Sequence, residues 1–236
     1  MKSFFSIILV AVALALPQAG SAQDAPPIQV LPVEKTPFHV IAFVNEYVRM
    51  LNAEIPAGRV APYHKHSTDS VFVIVESAKV RAQEMGGEAV ERENPTPSGT
   101  ISYLGYSKKP GIHQVTNVDS TPFHVVGFEI MYPEAGRFAQ SSREEVSAYK
   151  LVLDNERVRA WRLVLDPGHS APPITQKAPG VRIVVKGGTL VESEVGYPNH
   201  EMVLKSGDFI WQEQDVTRTL RNVGTAQIEL VEFELR

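Results

Sequence analysis

From Thr36 onward the chain alternates apolar and polar positions in short runs, separated by proline, glycine and asparagine. "FHVIAFV", "YVRMLNAEI", "VFVIVE", "FHVVGFEI", "VRAWRLVL", "VRIVVK", "FIWQE" and "IELVEFEL" are rich in valine, isoleucine and aromatics. A period of two residues in such runs predicts half-buried β-strands. No segment holds a long helical period. The best helix candidate is "SSREEVSAY", Ser141 to Tyr149, where Ser142 and Glu145 have capping-box spacing. The expected class is all-β.

The strand pattern occurs twice. "NEYVRMLNAEIPAGRVAPYHKH" from Asn45 aligns without a gap to "NERVRAWRLVLDPGHSAPPITQ" from Asn155, matching Asn45 with Asn155, Arg49 with Arg159, Gly58 with Gly168 and Pro62 with Pro172. "SGTISYLGYSKKPGIHQVTN" then corresponds to "SGDFIWQEQDVTRTLRN" with a short deletion. Agreement in one fixed register marks an internal repeat. The chain therefore reads as two all-β domains of ordinary size, over residues 23–135 and 149–236, joined by a linker over 136–148.

The first 22 residues read as a secretory signal peptide. Lys2 supplies the positive end, Phe4 to Leu16 the apolar core, and Gly20-Ser21-Ala22 a small-residue cleavage site. The apolar run is short for a bilayer span and is closed by Pro17. The expectation is a periplasmic or secreted protein, off the membrane once the leader is cleaved. The sequence has no cysteine, so stability in an oxidising compartment must come from an ordinary core. A formal charge of −4 gives no basic footprint and argues against a nucleic-acid partner.

Two of only seven histidines stand one residue apart in "PYHKHSTDSVFVIV". In a strand, side chains two apart share a face, so His64 and His66 project together. Such a pair alone is more often surface than site. A third donor changes that: "KKPGIHQVTN" places His113 behind a Pro-Gly turn and ahead of an alternating strand. Three imidazoles suit zinc, iron, nickel or copper; magnesium and calcium prefer oxygen.

At these residues the sequence resembles the cupins. Gly58, five residues, His64-x-His66, and then Pro110-Gly111-Ile112-His113, three residues, Asn117 resemble the family's two motifs, G-x5-H-x-H-x3-4-E-x6-G and G-x5-P-x-G-x2-H-x3-N. The resemblance covers nearly all of the mature chain as two units, a bicupin. It implies two tandem jelly-roll β-barrels, with His64, His66 and His113 converging on one divalent transition metal. Fe(II) or zinc fits best, with nickel, copper or manganese as alternatives. The sequence departs from the family at the expected glutamate, where Ser70 and Val71 stand, and Asp69 falls on the opposite face from Ser70. The closing glycine is missing and the second motif is one residue short. A three-histidine site is therefore expected. In the second unit the equivalent positions are Ile174, Gln176 and Arg218, although Gly168, Gly187, Gly188, Gly207 and Asn222 persist. That unit is expected to hold no metal, to enclose an apolar interior with one arginine, and to support the first by packing.

Glutamate-free three-histidine cupin sites resemble those of thiol and diketone dioxygenases. The resemblance implies a metal-dependent enzyme acting on a small molecule, with O2-dependent oxidation as the leading reading. A non-catalytic metal- or ligand-binding module is the alternative, as is isomerase or lyase chemistry. Cupins commonly pair through edge strands, which leaves a homodimer open. No general base is evident. Glu54, Glu84 and Tyr103 lie where they could line the barrel; Lys108 and Lys109 read as exposed loop residues. His39 and His124, each after "TPF", read as strand-edge histidines outside the site, and His169 and His200 fall in loops. Trp161 and Trp211 are expected to fill the second core.

Overall fold

A computed structural model describes residues 27–141 and 143–236. The expected leader, and Ser142 of the expected helix cap, lie outside the described residues. The first repeat contributes β1 (Leu31–Pro32), β2 (His39–Val44), β3 (Val48–Ile55), β4 (Val60–His66), β5 (Ser70–Glu76), β6 (Val80–Glu84), β7 (Ala89–Glu91), β8 (Ile101–Leu104), β9 (Gly111–Asn117) and β10 (Phe123–Ile130). They form two five-stranded sheets in the orders β1-β4-β9-β6-β7 and β2-β3-β10-β5-β8. The second repeat contributes β11 (Tyr149–Asp154), β12 (Val158–Leu165), β13 (Ser170–Thr175), β14 (Gly180–Lys186), β15 (Gly188–Glu194), β16 (His200–Leu204), β17 (Phe209–Gln212), β18 (Thr217–Asn222) and β19 (Ile228–Leu235). Its sheets run β11-β12-β19-β14-β17 and β13-β18-β15-β16. Each pair of sheets encloses a jelly-roll barrel.

The repeated residues hold equivalent backbone features. Asn45 Oδ1 accepts from the amides of Tyr47 and Val48, as Asn155 Oδ1 does from Arg157 and Val158. Asn117 Nδ2 donates to the carbonyls of Ile55 and Thr121, and Asn222 Nδ2 to those of Leu165 and Ala226, all at 2.8 Å. Gly58 and Gly168 turn through φ of +70° and +80°, a region that favours glycine. Even the irregularities recur: a register shift between Ala61 and His64 is matched by one between Ala171 and Ile174.

Alternation decides what each strand buries. On β5, Val71, Val73 and Val75 face the other repeat, while Phe72 and Ile74 face into their own barrel. The sheets containing β10 and β19 pack back to back, with Phe128 meeting Phe233 edge-to-face at 5.2 Å. Val48, Met50, Val126, Val158, Ile183 and Val231 close this core at 0–1% exposure. Each such side chain contributes roughly 1.5–3 kcal/mol by leaving water. A second core fills the C-terminal barrel around Trp161, Leu163, Leu190 and Leu230.

Three expectations need correction. The helix over Ser141 to Tyr149 is a single 3-10 turn, Arg143–Glu145, followed by β11. Ser141 and Arg143 are buried there, and their contacts with Glu232 and Glu234 anchor the segment to the second barrel. Trp161 fills the second core, but Trp211 does not. On β17, Ile210 and Gln212 face inward, which turns Trp211 toward the first barrel, where it stacks on Tyr47 at 5.8 Å. Finally, the interior of the second barrel is strongly ionic. Arg182 bonds Glu232 and Glu192, both at 2.7 Å, and Arg143 reaches Glu232 at 3.1 Å. The cavity left there is only about 10 Å³.

Candidate metal centre

Strand β4 carries His64 and His66 into the first barrel, and the neighbouring β9 places His113 directly opposite His64. One nitrogen from each ring lies within 4.8 Å of the others. The ring centroids are 4.6 to 5.2 Å apart. His64 and His66 are 1% and 2% exposed, and His113 is half-buried. All three sequence-predicted residues therefore meet at one point.

The surroundings set ring orientation. His64 Nδ1–H donates to the Pro62 carbonyl at 2.8 Å, which leaves Nε2 with a free lone pair. Tyr106 stacks on His66 at 5.0 Å, and Phe72 meets the same ring edge-on at 5.7 Å. Gly111 makes room for Tyr106, because a Cβ there would lie 2.4 Å from the tyrosine ring. The Glu84 carboxylate stands 3.7 Å from His113 Nδ1. Burial lowers the pKa of His64 and of His66 to about 3, a shift that the Pro62 bond partly opposes in His64. Burial also lowers that of His113, with Glu84 opposing. The rings are thus neutral near pH 7, the state a metal requires of imidazole. His66 Nδ1 is buried without a hydrogen-bond partner among the described residues. Neutral, converging rings with an orphaned nitrogen fit a divalent transition metal.

The histidines line a cavity of about 210 Å³ whose other walls include Leu51, Phe72, Ile74, Val115 and Phe123. His39, expected outside the site as a strand-edge histidine beside a prolyl turn, belongs to this wall: its ring lies 4.7 Å from that of His64. The register explains the difference. His39 pairs with Ala53, which itself faces the cavity, and the shift in register comes only after Ile41. The repeat carried the signal, since "HVIAFVN" aligns with "YKLVLDN" and so matches His39 with Tyr149, buried inside the second barrel. Burial lowers the pKa of His39 too, partly opposed by its bond to Pro37.

The remaining candidates lie elsewhere. Glu54 is exposed on β3. Tyr103 faces the second barrel and donates to Asp69 Oδ2 at 3.1 Å. Asp69 also accepts from the Ser107 amide and hydroxyl and lies 3.7 Å from Arg157, on the side away from the histidines, so it does not replace the missing glutamate. Lys108 forms an exposed ion pair with Glu156, and Lys109 is exposed. His124 bonds Asn52 at 2.7 Å, outside the cavity. His169 is in a turn, whereas His200 opens β16.

No family model matches the chain, and no curated protein matches it. Solved structures do. AerE from Microcystis aeruginosa superposes with a TM-score of 0.56 at 13% identity, over 85% of this chain and 98% of that one. YhhW from Escherichia coli gives 0.55 at 19%, over 82% and 88%. A salicylate 1,2-dioxygenase from Pseudaminobacter salicylatoxidans gives 0.55 at 14%, over 82% and 72%. The fold is the cupin fold, present twice. Within this bicupin architecture the second barrel offers a direct control: Ile174 pairs with Arg218 as His64 pairs with His113, and Gln176 replaces His66. Among the described residues, only the first cupin barrel gathers three histidines.

Proposed function

We propose that His64, His66 and His113 hold one divalent transition metal, Fe(II) or zinc first, and that the first barrel is the active site of a metal-dependent enzyme oxidising a small molecule with O2. The observation that carries this reading is the convergence of three neutral imidazoles, from two paired strands, on one small apolar cavity. Similarity of fold to a salicylate 1,2-dioxygenase, one structure of which is its adduct with gentisate, supports it by analogy.

When bound, such an ion supplies Lewis acidity and open coordination positions. The chain supplies the rest. Pro62 fixes the His64 tautomer, Tyr106 and Phe72 clamp His66, and the apolar walls offer a substrate a surface to pack against. Among the described residues, the cavity lining holds no carboxylate or lysine to act as a general base. That feature favours, as a second reading, a module that holds a metal or a small ligand without turnover. Isomerase or lyase chemistry is separable by activity without O2.

We further propose that residues 1–22 are a cleaved leader, that the mature protein is periplasmic or secreted, and that the domains divide at 23–135 and 149–236. Homodimer formation is a proposal of the same kind.

The test is elemental analysis of purified protein beside His64→Ala, followed by O2 uptake with Fe(II)-loaded protein. The wild type is expected to retain one equivalent of metal and the variant less than about a tenth of it, since a ligand is lost. A wild type without stoichiometric metal, or a variant with undiminished metal, overturns the metal reading; retained ligand without O2 uptake favours the binding module.

A further inference from the structure

We propose that His39 is a positioning residue of this site, whose ring accepts a hydrogen bond from a hydroxyl on a substrate about the size of one ring. The proposal rests on the metal reading above and adds a recognition element and a substrate class.

His39 Nδ1 lies 3.1 Å from the Pro37 carbonyl oxygen. A carbonyl only accepts, so Nδ1 carries the ring proton and Nε2 keeps a lone pair. Nε2, on the far edge of the ring, has no hydrogen-bond partner among the described residues. The ring is on the cavity wall beside His64, but outside the three residues whose nitrogens gather within 4.8 Å. It is therefore placed to meet what the metal holds, without holding the metal.

The backbone leading to it is strained. Phe38 has φ +69°, a left-handed conformation that costs a bulky residue of order 1–3 kcal/mol and is characteristically kept where surrounding contacts enforce it. Here the Phe38 carbonyl accepts from the Glu54 amide at 3.0 Å, and the Arg59 guanidinium lies 6.0 Å from the Phe38 ring centroid. The turn delivers His39 into β2 on the cavity side.

The walls define the substrate class. A cavity of about 150 Å³ admits benzene, so about 210 Å³ admits one substituted ring. Apart from the histidines, its polar lining residues are Ser102 and Tyr106, with no arginine or lysine to meet a second negative charge. The fitting molecule is a compact apolar ring that meets the metal through one oxygen and keeps a hydroxyl beside it to donate to His39.

The test uses zinc-loaded protein, which is redox-inert, and calorimetric titration with catechol and with 2-methoxyphenol, in which the second hydroxyl is methylated. Wild type, His39→Leu and His39→Gln are compared. All three are expected to hold one equivalent of zinc. The preference for catechol over 2-methoxyphenol is expected to fall by about three- to tenfold in His39→Leu, the worth of one hydrogen bond, and to be largely kept in His39→Gln. An unchanged preference in His39→Leu overturns the proposal while leaving the metal reading intact. Loss of zinc in His39→Leu and in His39→Gln also overturns it, by making His39 a ligand. A wild type that holds no zinc overturns the metal reading and this proposal together.

Discussion

Where the first barrel sets His64 opposite His113, the second sets Ile174 opposite Arg218. The contrast continues inward. Leu51 corresponds to Trp161, Phe72 to Arg182, and Gly127 to Glu232, as strand register shows. Ala82, opposite Val115, corresponds to Glu192, opposite Leu220. One interior is left with a cavity of about 210 Å³ and the other with about 10 Å³. Backbone features shared by both, such as the two asparagine clamps, are indifferent to this exchange. The strand framework is therefore separable from what fills it: a glycine beside an aromatic leaves room for ligating rings, and an arginine–glutamate pair at the same two positions closes the space.

The largest effect is expected at Glu232. Its carboxylate bonds Arg182 Nε at 2.7 Å and lies 3.1 Å from Arg143, and the side chains of Arg182 and Glu232 are 1% and 3% exposed. Glu232→Ala leaves two buried guanidinium groups short of a partner and is expected to cost about 3–5 kcal/mol in urea unfolding. Replacing Arg182 and Glu232 together with leucine is expected to cost less, because that pair leaves together while Arg143 keeps Glu234 and Glu192 keeps Arg218. Burial alone would raise the Glu232 pKa, but Arg182 and Arg143 more than reverse that and hold it below the usual value of 4.5. Its contribution is therefore fully present above pH 4.5 and is lost as pH falls through the lower folded value. Stability of the wild type should drop below pH 4.5 more steeply than that of Glu232→Ala, as followed by urea midpoints across pH.

Much of this division was legible in the sequence. The period of two gave the strands, the repeat gave their duplication, and the replacement of His64, His66 and His113 by Ile174, Gln176 and Arg218 showed which barrel gathers histidines. What escaped depended on register. Whether His39 faces in is decided by its pairing with Ala53, and whether Trp211 faces its own core is decided by where β17 sits beside β14. The ionic character of the second interior escaped for a related reason. Arg182, Glu192 and Glu232 stand on three different strands and look like their solvated alternating positions until those faces are brought together.

A milder perturbation addresses the cavity. A Cβ on Gly127 would lie 2.4 Å from the Val71 carbonyl and 2.5 Å from the Phe72 ring. Gly127→Ala is expected to destabilise by about 1–3 kcal/mol through overpacking. It should also push Phe72 toward His66, narrowing the cavity. Weaker binding of a one-ring probe to zinc-loaded protein, with zinc content unchanged, would show that this glycine keeps the space open. Unchanged binding would place the origin of the cavity elsewhere, at Leu51 in the position of Trp161.

The mildest effect is expected where the two barrels are most alike. Glu84 is paired with His113 on adjacent strands, and Glu194 with Arg218. Their carboxylates lie 3.7 Å and 3.9 Å from their partners. In the second barrel the role is an ion pair, and Arg218 also has Glu192 at 3.4 Å, so Glu194→Gln should cost less than about 1 kcal/mol. In the first barrel the same carboxylate can only orient His113, because its side chain is 70% exposed and the contact is longer than a hydrogen bond. Outer partners that orient a ligating histidine are typically worth ten- to a hundredfold in metal affinity. An exposed and distant one belongs at or below the low end, so Glu84→Gln should weaken zinc binding by no more than about tenfold in a competing-chelator titration. A loss well beyond a hundredfold would mean that Glu84 swings inward to coordinate the ion. The centre would then be three histidines and a glutamate, with the carboxylate supplied by the strand beside His113 instead of the strand after His66.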